Sequence, residues 1–147
     1  MLKRLERFAP QILGVTRILL GIMLASHGAQ KVLGAFGGTP EGVPPLIVWV
    51  AGPIELIGGA LLAGGLFTRG TGFLMSGLMA FAYFMGHASK GFWPILNGGE
   101  LAIAYCWFTL YLAARGPGAW ALDNLRLARN QAVPTANPAR PGVRTAA

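Results

Sequence analysis

The chain has 147 residues, of which 54% are hydrophobic and only 12% are charged. Soluble domains carry about 25% charged residues, so this composition excludes an ordinary soluble domain and indicates a lipid-facing exterior. The formal net charge of +7 does not indicate a nucleic-acid-binding protein, because the basic residues lie between and beyond the apolar stretches and not in a stripe interleaved with aromatic residues.

Four apolar stretches, at about 12–33, 46–67, 70–87 and 99–114, approach the roughly 20 residues that a helix needs to cross a bilayer. The connections between them are rich in Gly and Pro, which is typical of loops. The very short "TRG" connection makes the second and third helices antiparallel neighbours. The pattern predicts an all-α fold, a polytopic membrane protein with a four-transmembrane-helix bundle in one domain over residues 1–130.

Both ends of the chain differ in character from the apolar stretches. The first stretch follows "KRLER", as in a signal peptide, but its apolar part is long and Arg17 interrupts it, so we expect a retained helix. After a Gly-Pro-Gly break, residues 119–130 are predicted to form a short helix on the membrane surface. Residues 131–147 have little to bury and are predicted to be a disordered cytoplasmic tail.

The distribution of lysine and arginine predicts the orientation. Nine of these residues flank the ends and connections that share one side of the membrane: Lys3, Arg4, Arg7, Arg69, Arg115, Arg126, Arg129, Arg140 and Arg144. The opposite side has Lys90, with Lys31 at its rim. Cytoplasmic segments are enriched in Lys and Arg, so both termini are predicted to be cytoplasmic.

Several ionisable residues interrupt the apolar stretches, and they are the candidates for function. They are Arg17, His27, Glu55, His87 and Glu100, with Lys31 at the rim. A charge at the centre of a bilayer costs about 2.5–3.5 kcal/mol on translocon scales. These groups are therefore expected to pair, to face the interior of the bundle or to stay neutral.

Helical spacing of about 100° per residue gives each helix one polar or amphipathic face, which we expect to point inward. On the first helix it carries Arg17, His27 and Lys31; on the third, Ser76, Tyr83 and His87; on the fourth, Glu100, Trp107 and Tyr111. The lone Cys106 cannot form a disulfide within the chain and is expected to be a small apolar residue of the fourth helix.

Depth in the membrane brings most of these groups together. Glu55 lies nine residues into the second stretch, about 14 Å deep at 1.5 Å per residue, near the midplane. With His27, Lys31, His87 and Glu100 near the outer ends of their helices, all five are predicted to converge on one cavity open to the outer half.

Each of these groups also has a structural alternative. Arg17 lies nearer the cytoplasm and is expected to be a separate structural charge. A structural ion pair of Glu55 with His27 or Arg17 is the alternative to a functional role. Lys31, His87 and Glu100 each lie near an interface, where a long or polar side chain can simply reach water.

Three segments resemble the DoxX family of small bacterial membrane proteins: "HGAQKVLG" at 27–34, "ELIGGALLAGGLFTRG" at 55–70, and "GFWPILNGGELAIAYCWFTLYLAARGPGAWALD" at 91–123. The resemblance implies a multi-pass protein of the bacterial inner membrane. Family members include a subunit of an archaeal thiosulfate:quinone oxidoreductase and proteins linked to oxidative stress and quinone detoxification. The residues that it singles out are His27, Gln30, Lys31, Glu55, Asn97 and Glu100.

The favoured hypothesis is a redox-linked accessory subunit with a quinone or other small-ligand site. His27 and Glu55 are the candidates for hydrogen bonding and proton relay. The predicted ligand-binding residues are Lys31, Tyr83, His87, Trp93, Asn97, Glu100 and Trp107. The electron donor would be a partner or a soluble substrate, and whether the chain is an enzyme stays open.

Two other hypotheses remain. His27 and His87 suggest a haem or metal site, with Glu55 and Glu100 as further ligands. Two histidines are weak evidence for such a site, so we expect neither haem nor metal. The third hypothesis is a non-catalytic carrier or assembly protein whose buried polar residues are structural. In each case the expected partners are the lipid bilayer and either other proteins or further copies of the chain.

Overall fold

The computed structural model describes residues 2–131, and this range is all-helical, without a strand. The predicted all-α class is thus confirmed. The helices are α1 (Leu2–Glu6), α2 (Ala9–Leu33), α3 (Gly52–Gly64), α4 (Thr68–Gly86), α5 (Pro94–Asn97), α6 (Glu100–Arg115) and α7 (Leu122–Gln131). The surface helix expected at 119–130 corresponds to α7, and the predicted tail beyond residue 131 lies outside the described residues.

The four longest helices run antiparallel in sequence order around one core. Helix α2 packs along α3, α4 packs along α6, and α3 also contacts α4. The fully buried apolar side chains of the core are Leu24, Leu62, Met75, Met79, Tyr105 and Leu112. One end of the bundle therefore holds the C-terminal ends of α3 and α6, and the other end holds the C-terminal ends of α2 and α4.

Glycines allow α2 and α3 to approach each other closely. A Cβ atom added at Gly21 would lie 2.5 Å from the backbone nitrogen of Ala63, and one at Gly59 would lie 2.8 Å from the Cα of Ala25. Gly28 packs in the same way against the backbone at Leu56. Small residues let helix backbones meet without side chains between them, so Gly21, Gly28 and Gly59 serve the packing of α2 against α3.

A π-helical turn, Ile47–Ala51, leads directly into α3. Pro53 in the first turn of α3 has no N–H group, and its ring would collide with the carbonyl four residues before it in a regular α-helix. The wider π turn relieves that collision. It also places the N-terminal end of α3 beside the cavities described below.

The turn between α3 and α4 depends on Gly65 and on Asp123. Gly65 has φ +66°, and the N–H of Leu66 donates to the carbonyl of Leu61, which together close α3 with a Schellman motif. The Asp123 carboxylate accepts hydrogen bonds of 2.8 Å from the backbone N–H groups of Phe67 and Thr68. It thereby satisfies two of the unpaired donors at the start of α4.

The environment of Asp123 favours its ionised form. Burial by itself would raise the pKa of this carboxyl group. The hydrogen bonds from Thr68 and Phe67, together with the nearby Arg126 guanidinium, outweigh burial, so the pKa of Asp123 lies below its ordinary value. The negative charge also complements the positive end of the α4 dipole.

Arg17 is completely buried and binds only backbone carbonyl oxygens. Its Nη1 lies 2.5 Å from both the Leu62 and the Ala63 carbonyl oxygens, at the end of α3. Its Nε and Nη2 donate to three carbonyl oxygens of the segment between α6 and α7, those of Pro117, Ala119 and Trp120. We call these five carbonyls and the guanidinium the Arg17 cluster. The prediction that Arg17 is a structural charge agrees with this arrangement.

The inward polar faces predicted for α2 and α4 are present, but the one predicted for α6 is wrong. Tyr105, Thr109 and Leu112 are the buried residues of α6, whereas Trp107 is 68% exposed and Tyr111 is also exposed. Thr109 can be buried because its hydroxyl donates to the Tyr105 carbonyl oxygen one turn earlier. An aromatic ring with a polar tip can face lipid at little cost, so the periodicity of polar atoms was misleading here.

The exterior of the bundle is apolar on every long helix. Large exposed side chains include Leu19, Ile57, Phe73, Phe84, Leu101 and Trp107. Two segments, Ala9–Leu33 and Ile47–Gly64, are long and apolar enough to cross a membrane. Helix α6 has 16 residues and spans about 24 Å at 1.5 Å per residue.

Candidate ligand-binding site

An ion pair between α2 and α3 forms the centre of the candidate site. The Lys31 ammonium contacts Glu55 Oε2, with side-chain exposures of 17% and 5%. The sequence-based alternative was a pair of Glu55 with His27 or Arg17, and that choice of partner was wrong. Because Gly28 lets α2 approach α3, Lys31 at the rim reaches the deeper carboxylate on the neighbouring helix.

A cavity of about 260 Å³ lies beside this pair. We call it the polar cavity, and its polar lining consists of His27, Lys31, Glu55, His87 and Tyr105. Leu24, Met79 and Leu101 are among its apolar walls. The predicted convergence of the two histidines with Lys31 and Glu55 therefore matches their placement. The volume is close to the lower end of the range for small-molecule pockets, about 300–1,000 Å³.

A second cavity, of about 330 Å³, shares the ion pair and His87 with the first. We call it the apolar cavity, because its other walls are mainly hydrophobic side chains of the π turn and of α4. They include Leu46, Ile47, Leu78, Phe81 and Met85. Lys31, Glu55 and His87 thus stand where the two cavities meet, and beyond them the apolar cavity has only apolar lining residues.

The two histidines of the polar cavity have different surroundings. His87 Nδ1 lies 3.0 Å from the carbonyl oxygen of Asn97. A carbonyl oxygen can only accept, so Nδ1 carries the proton and Nε2 of the neutral ring is an acceptor. Across residues 2–131 the His27 ring has no hydrogen-bond partner; it packs edge-to-face on Tyr105, with 6.2 Å between ring centroids. Its ring nitrogens are free for a ligand.

Tyr83 and Asn97, both predicted to bind a ligand, support the cavity from outside. Asn97 is buried, and its amide nitrogen donates to the Gly91 carbonyl oxygen at 2.8 Å and to the Tyr83 hydroxyl at 3.4 Å. Its Oδ1 accepts the Gly99 N–H at the start of α6. The Tyr83 ring stacks on His87. This network holds the His87 ring in place at the cavity wall.

The remaining predicted residues, Trp93, Glu100 and Trp107, are exposed and line neither cavity. Glu100 occupies the first turn of α6, where a carboxylate interacts favourably with the helix dipole. The sequence predicted Glu100 in the cavity from its position near the outer end of its helix, but the rotation of α6 turns its side chain outward. Within the described range, no group of three or more His, Cys, Asp or Glu side chains is arranged to hold a metal ion.

Sequence reasoning missed Tyr105, which is 2% exposed and lines the polar cavity. Tyr105 carries no charge and sits between apolar neighbours, so neither periodicity nor the cost of burial singled it out. The pattern Tyr105, Thr109, Leu112, spaced by four and three residues, does mark one face of α6. The face of Glu100, Trp107 and Tyr111 has equally regular spacing and carries more polar atoms, so the sequence favoured it as the inward face.

Comparison with known proteins agrees with the resemblance noted in the sequence. The DoxX family model matches residues 12–88. An uncharacterized protein of Haemophilus influenzae strain Rd is 44% identical over 130 residues, and the alignment covers 84% of this chain and 96% of the relative. No solved structure matches the chain. The chain belongs to the DoxX family and is a membrane-associated protein.

Proposed function

We propose that this protein spans the membrane four times, with both termini cytoplasmic, and binds a quinone or a similar small ligand. The ring of the ligand would occupy the polar cavity and its hydrophobic part the apolar cavity. In this role the protein is a redox-linked accessory subunit of the inner membrane. Electrons come from a partner redox protein, because the proposed site supplies binding and protons only.

The observation that carries the proposal is the position of the Lys31–Glu55 pair, at the boundary of both cavities. An amphiphilic ligand needs a polar end and an apolar end in contact with each other, and this boundary offers both. A ligand carbonyl accepts hydrogen bonds, and the Lys31 ammonium is the strongest donor at the boundary. Reduction of a quinone to a quinol takes up two electrons and two protons, and His27 and Glu55 are proposed to pass the protons.

The apolar exterior supports the membrane-spanning arrangement. All four long helices expose large hydrophobic side chains, which in water would form far more apolar surface than a soluble monomer carries. Helix α4 has 19 residues, and α6, with 16 residues, is short for a bilayer core of about 30 Å. Local thinning of the bilayer accommodates such a helix at modest cost.

Ligand binding can be tested by equilibrium dialysis of a short-chain ubiquinone against the protein in mild detergent. We expect saturable binding to wild type and about tenfold or greater weakening in Glu55→Gln. Glu41→Gln, in the loop before the π turn, is the matched control and should bind as wild type. Equal binding by wild type and Glu55→Gln would refute the site, and absence of binding would refute the ligand class.

Orientation can be tested by labelling single cysteines in whole cells with a membrane-impermeant maleimide, in a Cys106→Ala background. Cysteine at Glu41 or Lys90 should react, because the proposal puts both outside the cytoplasm. Cysteine at Arg69 or Asn124 should react only after the membrane is permeabilised. The reverse pattern would overturn the orientation, and reaction at all four sites would overturn the spanning arrangement.

The second candidate function is a non-catalytic assembly or carrier protein. It is favoured by the fact that Glu55 already has a partner within the chain, so the pair can simply hold α2 against α3. In that case Glu55→Gln should lower thermal stability or partner assembly, while quinone binding is absent in wild type as well. Copurification of the same partner with wild type, and its loss with Glu55→Gln, would support this candidate.

A further inference from the structure

The two ends of the bundle differ in charge across residues 2–131. The end that holds the C-terminal ends of α3 and α6, which we call the basic end, has eight basic residues and two acidic ones, Glu6 and Asp123. The basic residues are Lys3, Arg4, Arg7, Arg17, Arg69, Arg115, Arg126 and Arg129. The opposite end has Lys31 and Lys90 against three acidic residues. The basic end therefore attracts anions, and at a membrane surface these include the headgroups of anionic lipids.

Three arginines of the basic end already have partners within the chain. Arg17 binds five backbone carbonyl oxygens, and Arg69 binds carbonyl oxygens at the end of α6. The Arg126 guanidinium lies over the Phe67 ring, 4.6 Å from its centroid. Arg115 is different, because among the described residues its guanidinium has neither a hydrogen-bond acceptor nor an acidic partner. Its N–H donors are therefore available to a ligand.

Arg115 lines a cavity of about 290 Å³ at the basic end. We call it the basic cavity. It lies between the first turns of α2 and the last turns of α6, beside the segment that joins α6 to α7. Its polar lining consists of Tyr111, Arg115 and Asn124, and its apolar walls include Ala9 and Leu13. All three polar side chains are exposed, so a ligand can reach them from the membrane surface.

The fold holds the walls of the basic cavity in place. The N–H of Ala119 donates to the carbonyl oxygen of Pro10 at 2.8 Å, which ties the segment after α6 to the start of α2. A Cβ atom at Gly14 would lie 2.6 Å from the Ala119 carbonyl oxygen, so this segment packs directly on the helix. The Asn124 amide nitrogen donates to the Gly118 carbonyl oxygen at 2.8 Å. The cavity is thus bounded by fixed backbone on two sides.

An exposed stripe of aromatic side chains leads from the basic cavity along α6. Tyr111 and Trp107 lie about one and two helical turns before Arg115 on the same face, and they are 51% and 68% exposed. In the proposed membrane-spanning arrangement this face meets acyl chains. A phospholipid with its phosphate at Arg115 would lay a chain along the stripe, whereas a free phosphate ion would make no use of it. The stripe therefore favours a lipid over a free anion.

We propose that the basic cavity binds the headgroup of an anionic phospholipid. The Arg115 guanidinium donates paired hydrogen bonds to the phosphate, for which its planar fork of N–H groups is suited. The Tyr111 hydroxyl and the Asn124 side chain lie where they can bind the remaining oxygens of the headgroup. This inference rests on the membrane-spanning part of the proposed function, and it concerns a site at the opposite end of the bundle from the Lys31–Glu55 pair.

Titration with two lipids that differ only in the headgroup tests the site. Dioleoylphosphatidylglycerol is anionic and dioleoylphosphatidylcholine is zwitterionic, and native mass spectrometry in a non-ionic detergent gives the Kd of the first bound molecule of each. We expect wild type to bind the anionic lipid more tightly. In Arg115→Gln the Kd of the anionic lipid should rise about tenfold, which corresponds to about 1.4 kcal/mol, and the preference for it should disappear.

Arg126→Gln is the matched control. It removes the same charge from the same end, but Arg126 stacks on Phe67 and does not line the basic cavity. It should leave both Kd values unchanged. Equal weakening in Arg115→Gln and Arg126→Gln would show that the general charge of the basic end attracts the lipid, and would overturn the inference. Displacement of the anionic lipid by excess inorganic phosphate would assign the cavity to a free anion, and would overturn it too.

Stability measurements separate binding from a structural role. The melting temperature of lipid-free Arg115→Gln should equal that of wild type, because the Arg115 side chain has no partner among the described residues. A lower melting temperature together with an unchanged Kd for the anionic lipid would show that Arg115 serves the fold, and would overturn the inference.

The remaining outcomes separate this inference from the proposed function. Arg115→Gln should bind the short-chain ubiquinone as wild type does, because Arg115 lines neither the polar nor the apolar cavity. Equal affinity of wild type for the two lipids overturns the lipid site and leaves the quinone site standing. Reaction of all four labelled cysteines in the orientation experiment would overturn the spanning arrangement, and the inference with it.

Discussion

Two buried charged groups among the described residues, at opposite ends of the bundle, are used in different ways. Arg17 is 0% exposed and its guanidinium binds five carbonyl oxygens, which leaves it no free donor capacity for a ligand. Lys31 and Glu55 bind each other, but they border two cavities and lie near His27, whose ring nitrogens have no hydrogen-bond partner among the described residues. All N–H donors of Arg17 are used by backbone carbonyl oxygens, whereas the Lys31–Glu55 pair has cavity space and unpaired polar atoms beside it.

This difference teaches how to separate structural from functional charges in a membrane protein. Both groups carry a burial cost, so burial alone does not distinguish them. The distinction lies in what surrounds them. The Arg17 cluster joins α2, the end of α3 and the segment before α7. Arg17 lines neither of the two cavities that Lys31 and Glu55 line. Charges of the first kind fix the fold, and charges of the second kind are candidates for binding.

The largest effect is expected from Arg17→Met. The variant removes the guanidinium from five buried or half-buried carbonyl oxygens, and we expect the free energy of unfolding to fall by about 3–5 kcal/mol. Thermal unfolding in mild detergent, followed by circular dichroism, measures the loss. Arg69→Met is the control: Arg69 also binds carbonyl oxygens, those of Ala113 and Ala114, but on the exposed surface. A similar loss in both variants would contradict the special role of burial at Arg17.

Breaking the Lys31–Glu55 pair should have the next largest effect on stability. Lys31→Met and Glu55→Gln each leave one buried group unpaired, and we expect each to cost about 1–3 kcal/mol. The double variant should cost less than the two single variants added together, because neither charge is then left alone. Strict additivity would mean that the two side chains do not interact, and would remove the centre of the candidate site.

Gly28→Ala should disturb the end of the bundle that holds the two cavities and leave the Arg17 cluster, at the other end, intact. A Cβ atom there would meet the backbone of Leu56 and lie 2.7 Å from the Gly52 carbonyl oxygen, so α2 and α3 must separate. We expect a loss of about 1–3 kcal/mol in stability together with weaker ligand binding. Gly77→Ala is the control, since a Cβ atom at Gly77 meets nothing within 4 Å. Normal binding in Gly28→Ala would contradict the link between helix approach and the site.

The smallest effect is expected from Asp123→Asn, and it depends on pH. The pKa of Asp123 is lowered in the folded protein, so its contribution to stability is complete above the unfolded pKa of about 3.9 and is lost as the pH falls through the folded pKa. The variant should lose about 0.5–2 kcal/mol at neutral pH and little at strongly acidic pH. A difference that stays constant between these pH values would contradict the role of the carboxylate at the start of α4.

Much of this arrangement could be predicted from the amino-acid sequence. The cost of charge in an apolar helix singled out Arg17, His27 and Glu55, and the structure buries Arg17 and Glu55 and places His27 at the polar cavity. The rotation of α6 could not be predicted, because a face with Trp107 and Tyr111 and a face with Tyr105 and Thr109 have the same period. Only the packing of α6 on α4 decides between them.

The partner of Glu55 could not be predicted from the sequence either. Lys31 lies nearer the end of α2 than His27, and its length lets it reach inward to the carboxylate. The choice depends on the close approach of the two helices at Gly28, which neither hydropathy nor spacing can give. The four membrane spans, the orientation and the ligand-binding roles of the cavity residues stay predictions.

Native mass spectrometry of the protein extracted from its own membrane in mild detergent tests the central claim most directly. We compare wild type with His27→Ala and Glu55→Gln, and use Arg69→Met as a control outside the cavities. We expect a small-molecule mass, that of a quinone, on wild type and on the control, and its loss from both cavity variants. Bare protein or phospholipid adducts alone in all four samples would contradict a ligand site at the Lys31–Glu55 pair.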